Sequence, residues 1–188
     1  GKQIWNEGRI TSLSLNNSKL TTLPDNIGNL IMLIKLSCYS NQLKTIPNTI
    51  TNLINLIELN LHNNQLTSLP SSMGNLAHLK RLKVDQNKLS SLPKTIGKLK
   101  HLEKFQINHN QLKSLPENIC NIDFDKENIH SFIAGNNYLC EDVPMCVENL
   151  SGFNYEYDNN GHPVYDPKNC VICEPGFRGM IHVSDNIT

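Results

Sequence analysis

The stretch LNLHNNQLTSLP, residues 59–70, places an asparagine, Asn64, inside a regular run of leucines. Burying an unpaired amide costs about 1–3 kcal/mol, so an asparagine in an apolar column needs hydrogen-bond partners. With the residues before it, the stretch follows the frame LxxLxLxxNxL over residues 56–66. The alternation of Leu59 and Leu61 predicts a short, half-buried strand, and Asn64 falls where the chain must leave that strand.

The same frame recurs along the chain, and the residues at its asparagine position are 23 residues apart: Ser18, Asn41, Asn64, Asn87 and Asn110. A sixth copy reaches this position at Asn137, 27 residues after Asn110, so four residues are inserted before it. One such unit cannot bury its leucines alone, whereas stacked units share a continuous core. We therefore expect each asparagine to bond backbone groups of its own and adjoining turns, forming a ladder.

The second half of each unit carries a Leu-Pro or Ile-Pro pair followed by apolar residues at fixed spacing, as in LPDNIGNL, residues 23–30. Both halves together resemble the leucine-rich repeat family over about residues 10–139. The resemblance implies an α/β fold. It would be a right-handed leucine-rich repeat solenoid with one short parallel strand per turn, a concave sheet, and short turns or 3-10 segments on the convex side. It divides the chain into an N-terminal cap at 1–9, six repeats at 10–139, and a cysteine-stapled C-terminal cap and tail at 140–188.

The composition excludes several kinds of partner. Lys plus Arg and Asp plus Glu are equal at 17 each, and a zero net charge gives no general attraction to nucleic acid or anionic membrane. Aromatic residues make up 6% of the chain, too few for a base-stacking surface. No run of about 18 apolar residues is present, so we expect no membrane insertion.

The outward positions of the strands predict columns of side chains on the concave sheet, because parallel strands stack about 4.8 Å apart. We predict that the following residues bind a partner: Lys35, Tyr39, Glu58, Asn60, His62, Arg81, Lys83, Asp85, Lys104 and Gln106. Parallel sheets normally have both faces covered, and a solenoid leaves this one open. The competing interpretation is a solvated face with cross-strand charge pairs that contribute under about 1 kcal/mol each.

An enzymatic interpretation rests on Ser37, His62 and Asp85, which fall on successive turns like a nucleophile, a base and an orienting carboxylate. Nothing in the sequence supplies an oxyanion hole, and an open sheet gives no pocket that excludes water. We therefore predict a non-catalytic protein that needs no cofactor.

The composition changes after Leu139, where the 23-residue rhythm stops and cysteines accumulate. A small segment that cannot build its own core is commonly held by disulfides. NYLCEDVPMC, residues 137–146, resembles the C-terminal cysteine cap of extracellular leucine-rich repeat proteins, and the whole ending is similar to that of secreted bacterial surface members. That resemblance points to two disulfides among Cys120, Cys140, Cys146 and Cys170, for which three pairings are possible.

The role of Cys173 and the choice between disulfides and a metal site stay open. Cys173 departs from the pattern and either replaces Cys170 or stays free. A structural zinc bound by Cys140, Cys146, Cys170 and Cys173 is an alternative to the disulfides. Cys38 takes a core leucine position of the second repeat, so we expect an inert buried thiol there.

These observations predict a non-catalytic module that recognises a protein partner on its concave face, at the cell surface or outside the cell. One alternative is an intracellular effector or signalling adaptor with reduced or zinc-bound cysteines. Another is a glycan-binding adhesin that uses Tyr39, Asn60 and His62. N-x-Ser/Thr sequons begin at Asn16, Asn149 and Asn186 and would be glycosylated only in a eukaryotic secretory route.

Overall fold

The computed structural model describes residues 2–125, 128, 130–139 and 143–148, together with two short strands at Glu156–Tyr157 (β8) and Pro163–Val164 (β9). Across the described residues, one sheet contains seven strands in chain order. They are β1 (Gln3–Asn6), β2 (Arg9–Ser14), β3 (Lys35–Ser37), β4 (Glu58–Asn60), β5 (Arg81–Lys83), β6 (Lys104–Gln106) and β7 (Phe132–Ile133). Strands β2 to β7 pair in parallel, and β1 pairs antiparallel with β2.

A short 3-10 segment follows the proline of each unit. These segments span Asp25–Asn29, Asn48–Asn52, Met73–Asn75, Lys94–Lys98 and Glu117–Asn121. The proline holds the backbone extended just before the segment begins. Its carbonyl then accepts the first hydrogen bond of the turn, as the Pro47 carbonyl does from the Ile50 N–H at 3.1 Å. The predicted leucine-rich repeat solenoid, with one short parallel strand per turn and 3-10 segments opposite the sheet, is confirmed.

The asparagine ladder is also confirmed. The Asn64 Nδ2 donates to the carbonyl oxygens of Leu61, at 3.1 Å, and Cys38, at 3.0 Å, and its Oδ1 accepts the Leu43 N–H at 3.1 Å. The same bonding within and between turns recurs at Asn41, Asn87, Asn110 and Asn137. Each buried amide is therefore satisfied by backbone groups, and it joins one turn to the turn before it.

On the side opposite the sheet, adjacent turns approach each other closely at a column of small residues 23 positions apart: Gly28, Thr51, Gly74, Gly97 and Cys120. A Cβ at Gly28, Gly74 or Gly97 would overlap a backbone carbonyl oxygen of the next turn. Thr51 does carry a side chain, and the 3-10 segment that follows it, Met73–Asn75, has three residues where the other four segments have five. Where glycine fills this position, the 3-10 segment of the next turn has five residues.

The insertion before the last copy contributes one aromatic side chain to the core. Phe124 is buried, and its ring centroid lies 5.0 Å from that of Phe132, which in turn lies 5.9 Å from that of Phe105. The three rings therefore pack in one row within the core of the last two turns.

The short helix α1 (Met145–Glu148) is joined to the last 3-10 segment by a disulfide between Cys120 and Cys146. Cys146 is therefore unavailable for the alternative four-thiolate zinc site. Cys140, Cys170 and Cys173, which figured in the predicted second disulfide and in the zinc site, lie outside the described residues. Cys38 is a buried free thiol, as predicted. No helix in the described part of the chain is long and apolar enough to cross a membrane.

Candidate partner-binding surface

The predicted binding residues come together because the parallel register is unbroken from β3 to β6. Lys35, Glu58, Arg81 and Lys104 are direct neighbours along one column, and Ser37, Asn60, Lys83 and Gln106 form the next. The buried leucines and Phe105 between them point into the core, so both columns project from the same face. We call this surface, together with Tyr39 and His62 just beyond the strands, the concave face.

Glu58 lies at the centre of the charged part of the concave face. Its Oε2 accepts from Arg81 Nη2 at 3.0 Å and Nε at 3.3 Å, and Lys35 Nζ lies 3.8 Å away. All three side chains remain partly exposed, so each pair contributes under about 1 kcal/mol to stability. The pairs therefore position Arg81 more than they stabilise the fold.

Two lysines of the concave face, Lys83 and Lys104, take part in no ion pair with any residue that the structure describes. Within the described residues, no carboxylate lies within ion-pair distance of Lys83 or Lys104. Lys83 is half-buried and Lys104 is exposed, and they stand on the adjacent strands β5 and β6. The face thus presents a local excess of positive charge although the chain as a whole is neutral.

His62 is held in place by Asp85 on the next turn. Its Nδ1 lies 2.6 Å from Asp85 Oδ2, so a neutral imidazole donates from Nδ1 and presents Nε2 as an acceptor. Asp85 is only 9% exposed, and its Oδ1 is buried with no hydrogen-bond partner among the described residues. Asp85 therefore offers a partner little surface of its own, and the prediction that it contacts a partner stays a prediction. The chain has already left β5 and turns inward there, which places the carboxylate beneath His62.

The remaining predicted residues support the same surface. Asn60 Oδ1 accepts the backbone N–H of His62 at 3.1 Å, and Tyr39 and Gln106 are half-buried. Ser37 Oγ donates to Asn16 Oδ1 at 2.8 Å, in the preceding turn, whereas His62 stands in the following turn. Ser37 and His62 therefore do not form the nucleophile–base hydrogen bond that a catalytic set requires.

No group of three or more metal-ligating side chains in the described ranges is placed to hold an ion.

Sequence reasoning missed a surface at the side edge of the solenoid, where two cavities lie along the turns that precede the strands. A signal for it exists in the sequence. The exposed positions of Ile31 and Ile34 recur in every repeat, and in later repeats they hold Lys100 and Lys80. A comparison of the exposed positions between repeats shows that they are apolar in the early repeats and charged in the later ones, which a comparison of core positions alone does not show.

Comparisons with known proteins agree with this architecture. A family model described as Leucine Rich Repeat matches residues 9–30 and 55–76. The chain is 30% identical to a chain of the BIR3–SERK2 complex from Arabidopsis thaliana, with a TM-score of 0.62, over 76% of this chain and 77% of that one. It is also 30% identical to the leucine-rich repeat ectodomain of the receptor kinase SOBIR1 from Arabidopsis thaliana, with a TM-score of 0.55, over 62% and 68% of the two chains.

A third similar structure is the plant peptide hormone receptor RGFR1 in complex with RGF2, at 30% identity and a TM-score of 0.65. The match covers 77% of this chain but only 24% of the receptor chain, so the chain spans about a quarter of that receptor's length. No curated protein sequence matches the chain.

Proposed function

Because the chain belongs to the leucine-rich repeat family, we propose that it is a non-catalytic recognition module that binds a protein partner on its concave face. The observation that carries the proposal is that two lysines without an ion pair, Lys83 and Lys104, stand on adjacent strands of a sheet face that nothing within the described residues covers. A neutral chain that concentrates positive charge on its open face favours a partner with an acidic surface.

The rigidity of the face supports this function. The strands are joined by backbone hydrogen bonds and by the asparagine ladder, so the binding residues are fixed before a partner arrives. A preorganised surface loses little conformational freedom on binding, which leaves more of the contact energy as affinity. Similar structures support the proposal as well, since two of them are a receptor in complex with RGF2 and a complex between BIR3 and SERK2.

We further propose that the module works outside the cell or at its surface. The Cys120–Cys146 disulfide supports this location, because disulfides form and persist in oxidising compartments. The similarity to the ectodomain of the receptor kinase SOBIR1 points in the same direction.

The test is charge reversal on the concave face in a binding assay against a displayed library of extracellular proteins. The variant Lys83→Glu with Lys104→Glu removes no member of the Glu58 pairs, and we expect partner binding at least about tenfold weaker because two attractive charges become repulsive. Binding of the unmodified chain should also weaken as salt is raised, since exposed charges are screened.

The matched control is Lys94→Glu with Lys98→Glu, which makes the same change in net charge on an exposed 3-10 segment away from the sheet. This control should bind like the unmodified chain. Equal loss in both double variants would indicate a general charge effect, and full binding by the concave-face variant would place the site elsewhere; either result contradicts the proposal.

A further inference from the structure

A second candidate surface runs along the side edge of the solenoid, where the chain turns before each strand. One cavity, of about 410 Å³, is lined by residues that include Trp5, Arg9, Ile31 and Met32. Met32 also borders a second cavity, of about 630 Å³, whose lining includes Ile34, Ile57, His78, Lys80 and His101. We call the two cavities, which share Met32 in their linings, the side groove.

The repeats themselves show that the apolar lining is not a requirement of folding. The repeat position of Ile31 is filled by Ile54, Ala77 and Lys100 in the three following turns, and that of Ile34 by Ile57, Lys80 and Glu103. The same backbone therefore tolerates charged side chains at both positions. Ile31 is 52% exposed and Ile34 is 37% exposed, so neither contributes a fully buried side chain to the core.

The exposed apolar residues are concentrated at the N-terminal end of the side groove. Trp5 is 59% exposed and Met32 is 40% exposed, and both line the same cavity as Ile31. Scattered exposed apolar residues are ordinary, whereas a contiguous apolar patch rimmed by polar groups marks a contact surface.

The backbone at the floor of the side groove is already hydrogen-bonded from turn to turn. The Ile34 N–H donates to the Thr11 carbonyl and the Ile57 N–H to the Ile34 carbonyl, each at 2.8 Å, and the Lys80 N–H donates to the Ile57 carbonyl at 2.9 Å. These backbone groups are already paired along the edge, so a ligand gains little by adding a strand there. Affinity must come from apolar burial and from charge.

The described lining of the side groove contains two formally charged side chains, Arg9 and Lys80, and both are basic. Arg9 lies at one end, His78 and His101 lie at the other, and no Asp or Glu is among the described residues that line the two cavities. Lys80 is already engaged, because its Nζ lies 2.6 Å from Glu103 Oε1 and its ammonium lowers the pKa of that carboxyl. Arg9 and the two imidazoles are left to meet acidic groups of a ligand.

We propose that the side groove binds an extended segment of a second protein that carries apolar side chains in its middle and a carboxylate at each end. The apolar part would cover Trp5, Ile31, Met32 and Ile34, and the carboxylates would meet Arg9 and the His78–His101 pair. From Thr11 to His101 the groove crosses four steps of about 4.8 Å, or about 19 Å, which an extended segment of about six residues spans. This site is separate from the concave face and does not depend on it.

The test selects ligands from a display library of random peptides of about eight residues, with the whole chain immobilised. We expect the enriched peptides to combine apolar and acidic residues. Their binding, measured by fluorescence anisotropy on synthetic copies, should weaken at least about tenfold in Ile31→Lys with Ile34→Lys. This variant introduces the residue type that the chain already uses at positions 100 and 80, so the fold should persist, which circular dichroism would verify.

Ile54→Lys is the matched control, because Ile54 shares the repeat position of Ile31 and is 55% exposed but lines neither cavity. It should bind the selected peptides normally, and so should Lys83→Glu with Lys104→Glu on the concave face. The proposal is overturned if enriched peptides are basic or lack apolar residues, or if Ile31→Lys with Ile34→Lys binds them unchanged. It is also overturned if sedimentation shows that the groove instead joins two copies of the chain, in a dimer that this variant dissociates.

Discussion

Asn87 shows how much one amide contributes at the scale of a residue. Its Nδ2 donates to the carbonyls of Leu61 and Val84, each at 3.0 Å, and its Oδ1 accepts the buried Leu66 N–H at 2.9 Å. Asn87→Ala would leave these groups unsatisfied in the interior, and we expect the free energy of unfolding to fall by about 3 kcal/mol. Urea denaturation measures this change. Asn108→Ala, on the partly exposed side of the neighbouring turn, should change stability by under about 0.5 kcal/mol, and equal effects would refute the ladder as a stabilising element.

Cys38 gives a prediction about pH. Burial raises the pKa of its thiol from the ordinary 9.0 to about 12. Below pH 9 the thiol is neutral in both states, whereas between about pH 9 and 12 it ionises only in the unfolded chain, so its contribution to folding stability declines over that range. Cys38→Val, which copies Val84 at the same repeat position, should remove this decline from the pH dependence of urea unfolding. An equally steep decline in the variant would argue against burial of the thiol.

At the scale of elements, the contact between adjacent 3-10 segments sets the spacing of the turns. Gly97→Ala would push a methyl group against the Asn118 carbonyl, and because backbone cannot rotate away we expect a loss of about 2–3 kcal/mol in the free energy of unfolding. Thr51→Ala puts the same residue at the same repeat position of another turn. We expect it to lower the free energy of unfolding by only about 1 kcal/mol, because it removes the hydrogen bonds of Thr51 Oγ1 to Asn48 and Ser72. Chemical denaturation of both variants tests the difference, and similar losses would mean that the close approach is not a constraint.

The elements that sequence could predict are those whose pattern repeats. Leucines at fixed spacing predict the strands, the core and the asparagine ladder, because an amide in an apolar column has few other ways to be satisfied. Phe124 was not predicted, since it lies in the insertion that breaks the period and has no counterpart in other turns. Asp85 was placed on the surface because periodicity gives the direction of a side chain within a strand but not after the strand ends. The side groove escaped notice because it is formed by positions that vary between repeats.

At the scale of the whole molecule, the Cys120–Cys146 disulfide ties the C-terminal helix to the last turn and closes a loop with a sequence separation of 26. A loop of this length corresponds to about 3.5 kcal/mol of lost chain entropy in the unfolded state. We expect Cys120→Ser with Cys146→Ser to lower the urea midpoint, and terminal turns to unfold first, because each turn is stabilised mainly by its neighbours. Hydrogen exchange would locate that loss. Unchanged protection of residues 112–124 in the double variant would show that the bridge does not hold the end of the array.

The residue at position 120 also determines where further repeats can be inserted into this chain. Upstream, each turn leaves room for the next by omitting a side chain or keeping it small, so an additional 23-residue cassette spliced among those turns would lengthen the array by about 4.8 Å. Beyond Cys120 that room is already occupied by sulfur bonded to α1. A duplicated 23-residue unit therefore fits upstream of Cys120, whereas directly after Cys120 it would have to displace α1.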